Sequence, residues 1–271
     1  MATLAFVKFG GSVITDKTGQ EAPDLDAIGR LAAELGAARA ALPGLQIVLG
    51  HGSGSFGHPY AARYAIQRGI APGGDWMGFA LTAAAARRLN GIVVDALLAA
   101  GVPALALQPS TTLRSAHGAL LGWDTSTVVK ALGHGLVPVV HGDVAFDEAQ
   151  GAAIISTEQL LAYMVLHTPE LRPARIILVG EAGVFTADPR ADPNAQRIPR
   201  IDRNNIAAVL QGAGASHGAD VTGGMRSKVE LMWQLAVATP GLVVQLIGPA
   251  PGLLHRALLG QAEGEGTLIT A

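Results

Sequence analysis

The sequence contains no cysteine and little charge of either sign. Without thiols, a chain cannot form disulfides, use a thiolate nucleophile or bind metal through sulfur, and this composition fits a reducing compartment. Charged residues make up 15% of the 271 residues, and the formal net charge is -2. Proteins that bind a nucleic-acid backbone usually carry a surplus of clustered basic residues. We therefore expect no nucleic-acid partner.

Long apolar runs and targeting signals are also lacking. The first residues have no basic region typical of a secretory signal, and no apolar run approaches the roughly 20 residues that span a bilayer. We expect a soluble, cytoplasmic protein with no membrane partner. Apolar residues make up 49% of the sequence, which is enough to form the core of one large α/β domain or two lobes.

Glycine, in contrast, is abundant, and its densest cluster follows a predicted buried strand. Residues 47–58 read IVLGHGSGSFGH, in which an apolar run opens into four glycines within eight residues. Glycine lets backbone N–H groups approach a ligand closely, and a following helix N-terminus favours an anion such as phosphate. The alternative is a glycine-rich turn that only joins the strand to the helix.

Predicted strands and helices alternate along the chain, with Asp24 and Thr157 placed to cap helices. This alternation predicts an α/β fold with a mostly parallel sheet and helices on both faces. Ligands of such sheets bind beyond the carboxyl ends of the strands. Polar clusters follow three predicted strands there, at residues 10–12, 51–58 and 141–143. We expect a ligand site where these clusters meet.

A second glycine-rich segment, residues 212–224, opens onto a predicted helix over residues 225–237 whose first turn carries Arg226 and Lys228. Cations are unfavourable at a helix N-terminus unless an anion is bound there. The pattern therefore indicates a second anion site. Two anion sites with scattered lysines are typical of phosphoryl transfer, which depends on positioning and charge neutralisation.

These two sites suggest two lobes, one over residues 1–172 and the other over residues 173–271. Lys8 lies on an otherwise apolar strand, where it forms either a structural ion pair or part of a phosphate site. A helix predicted over residues 76–100 contains Phe79 and a run of alanines at 83–86. Such small side chains allow tight helix packing, or they form the wall of an apolar ligand slot.

Other common sites match the sequence poorly. Residues 52–57 match the G-x-G-x-x-G dinucleotide pattern, but the acidic residue expected at the end of the next strand, about 20 residues later, is missing, because Asp75 lies in a Pro-Gly-Gly loop. The sequence has no P-loop and no G-x-S-x-G nucleophile elbow. The spacing of His51, His58 and His141 fits no common set of metal ligands, so no residue is assigned to a metal.

Five blocks in this order resemble the amino acid kinase superfamily, and within it the isopentenyl phosphate kinases. The blocks are KFGGSVITDK at residues 8–17, HGSGSFGH at 51–58, HGD at 141–143, GVFTADP at 183–189 and DVTGGMRSK at 220–228. They span nearly the whole chain. The resemblance implies a two-lobed α/β/α sandwich that phosphorylates isopentenyl phosphate with Mg-ATP, yielding isopentenyl diphosphate. Homodimers are common in this family, so the resemblance also implies a homodimer.

The resemblance further assigns residues to the two substrates. The implied ATP site comprises Lys8, Gly10, Gly11, Ser12, Gly54, Gly180, Gly183, Gly223 and Lys228. The implied acceptor site comprises Gly52, Ser53, His58, Phe79, Ala83 and Thr157. Lys8, Lys17 and Lys228 would neutralise charge on the transferred group, His58 would orient the acceptor, and Glu158 would organise the lysines in place of the family's usual aspartate.

Two alternatives stay open. One is a kinase of the same fold that acts on another small phosphate or phosphonate, such as fosfomycin. The other is a protein of this fold that binds a nucleotide or an anion without catalysis. The joint presence of Lys8, Lys17, His58 and Lys228 argues against the second alternative, because simple binding does not require all four.

Overall fold

The structure, a computed structural model, describes residues 3–16, 18–189, 191–212 and 224–271. Its strands are β1 (Thr3–Phe9), β2 (Leu45–His51), β3 (Ala104–Ala106), β4 (Arg114–Ala116), β5 (Ala119–Gly122), β6 (Val137–His141), β7 (Asp143–Asp147), β8 (Gly151–Ile155), β9 (Arg175–Val179), β10 (Val184–Phe185), β11 (Arg197–Ile198), β12 (Arg200–Ile201), β13 (Val243–Ile247) and β14 (Thr267–Ile269). Its helices are α1 (Gly11–Ile14), α2 (Leu25–Ala41), α3 (Gly54–Arg63), α4 (Met77–Ala99), α5 (Ser126–Gly133), α6 (Thr157–His167), α7 (Ile206–Gly212), α8 (Gly224–Ala238) and α9 (Leu253–Leu258).

A central sheet of eight described strands runs in the order β12-β14-β13-β9-β1-β2-β6-β3. Every neighbouring pair in it is parallel except β13 and β14. Because β1 pairs with β9, the sheet continues across the expected boundary between residues 172 and 173. The mostly parallel sheet is confirmed, and the division into two lobes stays a prediction.

The alternation of side chains along β1 divides the core into two layers. Val7 and Phe9 pack on one face of the sheet, with apolar side chains of α2, α4 and α9. Leu4 and Phe6 pack on the opposite face, with side chains of α5, α6 and α8. Successive residues of a strand point to opposite faces, so Lys8 lies on the same face as Leu4 and Phe6, toward α6.

A smaller sheet has the strand order β5-β4-β7-β8, and side chains of β7 and β8 contribute to a third apolar cluster. In this cluster Ile66, Val144 and Ala152 are buried, and Phe79 and Ala83 of α4 pack against them. The smaller sheet thus lies beside the N-terminal half of α4, the half that carries the alanine run.

The two predicted helix caps differ in outcome. Asp24 caps α2 as expected, because its carboxylate accepts a hydrogen bond of 2.9 Å from the amide of Ala27. The prediction that Thr157 caps α6 is wrong. Ser156 is the cap, and it forms a reciprocal capping box with Gln159, which leaves Thr157 as the first helical residue.

Glu34 of α2 joins that helix to α9, although the two helices are far apart in sequence. Its carboxylate oxygens accept hydrogen bonds from the amides of Gly252 at 2.8 Å and His255 at 3.3 Å. Arg30 lies 3.4 Å from the same carboxylate. A side chain of one helix therefore satisfies N–H groups at the start of another, which otherwise have no partner within that helix.

We expect Glu34→Ala to lower the free energy of unfolding by about 1 to 3 kcal/mol, since it leaves these amides without their acceptor. Urea denaturation measures this change. Glu148→Ala is the matched control, because Glu148 lies in an exposed ion pair with Arg114 and exposed pairs contribute about 0 to 1 kcal/mol. Equal stability of the two variants would contradict the role assigned to Glu34.

Candidate active site

Four adjacent strands of the central sheet, β9, β1, β2 and β6, each continue into a glycine. The amide of that glycine donates to the last residue of the neighbouring strand: Gly10 to Val179 at 2.7 Å, Gly52 to Phe9 at 3.0 Å, Gly142 to His51 at 3.1 Å and Gly180 to Ile247 at 2.8 Å. The loops that follow these four strands therefore begin side by side, at the same edge of the sheet. The clusters at residues 10–12, 51–58 and 141–143 follow adjacent parallel strands, as the sequence predicts.

The loops after β1 and β2 touch each other through glycine. A Cβ atom added to Gly11 would lie 2.6 Å from the amide nitrogen of Gly54, and one added to Gly52 would lie 2.9 Å from the amide nitrogen of Gly11. Gly54 also has a positive φ of 47°, a conformation that favours glycine. Thr15 reinforces the contact, because its hydroxyl donates to the Gly11 carbonyl at 2.7 Å and accepts from the Ser55 amide at 3.0 Å.

A cluster of charges lies beside these loops, on the face of the sheet covered by α6. The Lys8 Nζ atom is 2.8 Å from Oε1 of Glu158, and the Lys228 Nζ atom is 4.0 Å from the same oxygen. The side chains of Lys8 and Glu158 are each 11% exposed, and that of Lys228 is 27% exposed. We call these three residues the ion cluster. It brings together β1, the first turn of α6 and the first turns of α8.

The charge state of Glu158 follows from its neighbours. Burial by itself raises the pKa of the Glu158 carboxyl, but Lys8 and Lys228 outweigh burial, and the net effect is a lowered pKa. Glu158 is therefore an anion at neutral pH. The first turn of α6 further favours a negative charge, since the helix dipole is positive there.

The remaining predicted ATP-site residues are only partly brought together. Gly10, Gly11, Ser12 and Gly54 lie at the contact between the β1 and β2 loops, and Gly180 follows the neighbouring strand β9. Gly183 instead lies in the turn before β10, where an added Cβ would meet the Thr267 hydroxyl at 2.7 Å. Lys17 and Gly223, together with most of the second glycine-rich segment, lie outside the described residues.

The predicted acceptor residues occupy α3, α4 and the start of α6. His58 is exposed on α3, and Ser53 precedes that helix in a half-buried position. Phe79 and Ala83 are half-buried on α4, where the Phe79 ring contacts those of Trp76 and Phe146. Neither ring was predicted as part of this wall. The i,i+3 spacing of Trp76 and Phe79 at the start of the predicted helix could have indicated the first contact, whereas Phe146 is distant in sequence.

Thr157 lies deeper than its predicted contact with the acceptor suggests. It is 2% exposed, and its hydroxyl donates to the backbone carbonyl of His51 at 2.7 Å. Gly50 makes room for it, because a Cβ on Gly50 would collide with the Thr157 methyl group. The hydroxyl of Thr157 thus ties α6 to the end of β2. Its assignment to the acceptor stays a prediction.

Two buried histidines lie behind the glycine loops, and the sequence analysis assigned them neither to a metal nor to a substrate. The rings of His51 and His141 are fully buried and stacked, with centroids 5.6 Å apart. His51 Nε2 is 3.0 Å from the Asn90 side chain, and its Nδ1 is 3.1 Å from the Gly52 carbonyl. In the part of the chain that the structure describes, Nε2 of His141 is buried and has no hydrogen-bond partner.

Both histidines are neutral at physiological pH. Burial lowers the pKa of each imidazole to about 4, and for His51 the neighbouring His141 lowers the pKa further. A neutral ring carries one N–H group. Both partners of the His51 ring are acceptor oxygens, the Gly52 carbonyl and Oδ1 of Asn90, so a neutral His51 donates to one of them at a time.

These pKa values predict that acid destabilises the protein. Unfolded histidines bind protons below about pH 6.5, whereas the buried rings resist protonation until about pH 4, so stability is lost as the pH falls through this interval. We expect a loss of about 2 kcal/mol for each histidine between pH 7 and pH 5.

Urea denaturation at the two pH values measures this loss in the wild type and in His141→Phe, which lacks one of the two groups. The variant should lose about 2 kcal/mol less stability than the wild type over that interval, because groups common to both proteins, such as Asp143, whose pKa burial raises to about 6, cancel in the difference. Equal losses in both proteins would show that His141 does not resist protonation. Each loss is the difference between two pH values for one protein. A change in stability that phenylalanine causes equally at both pH values therefore cancels.

Among residues 3–16, 18–189, 191–212 and 224–271, no group of three or more His, Asp or Glu side chains is arranged to hold a metal ion. No helix within the same ranges is both long and apolar enough to cross a membrane.

Comparison with known proteins gives a consistent result over the full length of the chain. A model of the amino acid kinase family matches residues 3–244. The isopentenyl phosphate kinase of Methanothermobacter thermautotrophicus is 40% identical over 98% of this chain and 99% of its own length. The enzyme of the same name from Methanocaldococcus jannaschii is 32% identical over 96% of this chain and 97% of its own length. A solved structure of isopentenyl phosphate kinase superimposes with a TM-score of 0.82 at 35% identity, covering 98% of this chain and 100% of that one.

Proposed function

Because the chain belongs to the amino acid kinase family and, within it, to the isopentenyl phosphate kinases, we propose that it transfers the γ-phosphoryl group of ATP to isopentenyl phosphate. The products are isopentenyl diphosphate and ADP. The observation that carries the proposal for this chain is the ion cluster of Lys8, Glu158 and Lys228 beside the glycine loops of β1 and β2. A purely structural ion pair would need one lysine, not two.

The ion cluster is suited to the charge that develops during phosphoryl transfer. Phosphoryl transfer needs cations at the transferred group and rigid positioning, and little covalent chemistry from the protein. Glu158 holds Lys8 and Lys228 close together although their charges repel, because both ammonium groups face one carboxylate oxygen. Two ammonium groups beside the glycine loops are suited to bind the negative charge of a phosphate.

The acceptor requires no general base. A phosphate monoester has a second pKa of about 6, so it is mostly a dianion at neutral pH and already nucleophilic. We assign His58 as the donor that orients this phosphate, supported by its position on α3 four residues after Gly54. A hydrogen bond from an imidazole to a phosphate oxygen is charge-assisted, which makes it stronger than a neutral one.

Magnesium enters this proposal with the nucleotide. Mg²⁺ is usually bound by one or two carboxylates together with substrate phosphates. The carboxylate of the ion cluster is already engaged by two lysines. Mg²⁺ would reach this site bound to the phosphate oxygens of ATP and would help to neutralise the charge of the transferred group.

The apolar part of the acceptor fits the half-buried wall on α4. Phe79 and Ala83 pack against the buried cluster of Ile66, Val144 and Ala152. This wall is supported as the isoprenoid slot by its apolar character and by its place beside α3. In this proposal residues 1–172 hold the acceptor, residues 173–271 hold the nucleotide, and the active form is a homodimer, as is common in the family.

The proposal predicts rapid ADP release from Mg-ATP when isopentenyl phosphate or dimethylallyl phosphate is supplied. Fosfomycin, N-acetylglutamate and UMP, offered in parallel, should give at least a hundredfold lower kcat/KM. Fast turnover of fosfomycin would instead support the phosphonate kinase alternative. ATP binding without turnover of any acceptor would support the non-catalytic alternative and overturn the proposal.

We expect His58→Ala to lower kcat/KM for isopentenyl phosphate by about 10- to 100-fold, the effect of losing a hydrogen bond to a charged group. The KM for ATP should stay within about twofold of the wild-type value. His134→Ala, at an exposed histidine after α5, is the matched control. An equal loss for both substrates would mean that His58 supports the fold rather than the acceptor.

A further inference from the structure

The chain that follows α1 folds back onto the first turns of α3. The Glu21 amide donates to the Ser55 carbonyl at 3.0 Å, and the Ala22 amide donates to the Ser55 hydroxyl at 3.2 Å. The Asp16 amide donates to the Ala22 carbonyl at 2.9 Å, which closes the loop on itself. Ser55 lies next to Gly54, so this loop is fastened at the glycine contact between β1 and β2.

The Glu21 side chain extends this attachment to two helices. Arg88 of α4 donates to both of its carboxylate oxygens, from Nε at 2.8 Å and from Nη2 at 2.5 Å. The hydroxyl of Tyr60, on α3, donates to Oε1 at 3.0 Å. A two-pronged arginine–carboxylate contact fixes direction as well as distance. One carboxylate therefore joins the loop, α3 and α4.

The charge and the backbone conformation of Glu21 both indicate that its contacts hold it in place. Its hydrogen bonds from Arg88 are the largest cause of a lowered pKa, so the carboxylate is charged at neutral pH. Its φ of 49° lies in the left-handed region, which residues other than glycine seldom adopt. Such a conformation persists only where surrounding contacts hold it, and it is commonest at functional sites.

We propose that Glu21 is a positioning residue for the acceptor substrate. The inference rests on the proposed function, in which α3 supplies Ser53 and His58 to the acceptor phosphate and α4 supplies Phe79 to the isoprenoid chain. Because Glu21 bonds to both helices, it sets the distance between the group that binds the phosphate and the wall that binds the hydrocarbon. Misplacement by about 1 Å can reduce the rate of an enzyme a hundredfold.

The test separates acceptor from nucleotide. We expect Glu21→Ala to raise the KM for isopentenyl phosphate about tenfold while the KM for ATP stays within twofold, because the ion cluster is not attached to Glu21. The matched control is Glu265→Ala, which removes the carboxylate of another half-exposed pair, with Arg256 at 3.9 Å. A loss of thermal stability with both KM values unchanged, or an equal rise in both, would overturn the proposal.

Reversal of the pair tests whether the contact itself matters. Glu21→Arg and Arg88→Glu should each raise the acceptor KM, and the double variant should recover at least half of the loss on a logarithmic scale. Additive losses in the double variant would show that the two residues act independently. Because each side chain remains long and charged, the double variant retains the burial and solubility of the pair.

Hydrogen exchange tests the attachment without any turnover. In Glu21→Ala, the amides of residues 18–22 and 24 should exchange at least tenfold faster, while those of β1 and β9 should be unchanged. Unchanged exchange at these residues would overturn the proposal even in an active enzyme. A wild-type protein that does not phosphorylate isopentenyl phosphate would overturn the proposed function and, with it, the role in acceptor binding, whatever the exchange rates.

Discussion

The loops after β1 and β2 meet with no room for a side chain between them, and the rest of the site depends on that contact. A Cβ on Gly11 or Gly52 would overlap the backbone of the opposite loop. Backbone, unlike the end of a long side chain, cannot move aside without shifting the helix that follows it. The starts of α1 and α3 are consequently fixed relative to each other. This contact therefore fixes the position of α3, and with it the positions of Ser53, His58 and the α3 groups to which Glu21 bonds.

The second requirement is electrical. A lysine on a central strand and a glutamate in the first turn of a buried helix are each costly to remove from water unless they are paired. Lys8 and Glu158 meet at 2.8 Å, so each makes the burial of the other tolerable. Glu158 reaches Lys8 from the N-terminal turn of α6. The capping box at Ser156 holds that end in place.

The sequence could predict the parts of this arrangement that depend on local pattern. The ends of β1, β2 and β6, the glycines that follow them and the helix cap at Asp24 were all predictable, because strand period, glycine and cap residues act over a few positions. The cap of α6 was misassigned because Ser156 and Thr157 are both suitable cap residues. Only the reciprocal bond from Gln159 distinguishes them.

The parts that could not be predicted join residues distant in the chain. His51 and Asn90 are 39 positions apart, and Glu21 and Arg88 are 67 positions apart, so no period or motif connects them. Each looks ordinary in its own segment: a histidine after a strand, a glutamate in a loop and an arginine on the polar side of a helix. These contacts form only in the folded protein, where the sheet brings the loops after its strands to one edge.

The alternation along β1 has a further consequence for folding. Were β1 to pair with its neighbours one residue out of step, every side chain would change face. Lys8 would then enter the apolar layer formed with α2, α4 and α9, and Val7 would stand opposite Glu158. That misaligned sheet would hold two unpaired charges in its interior, a penalty that an all-apolar strand would escape. The lysine that we assign to the phosphates therefore also favours the correct register of β1, because any shift by one residue would bury it without its partner.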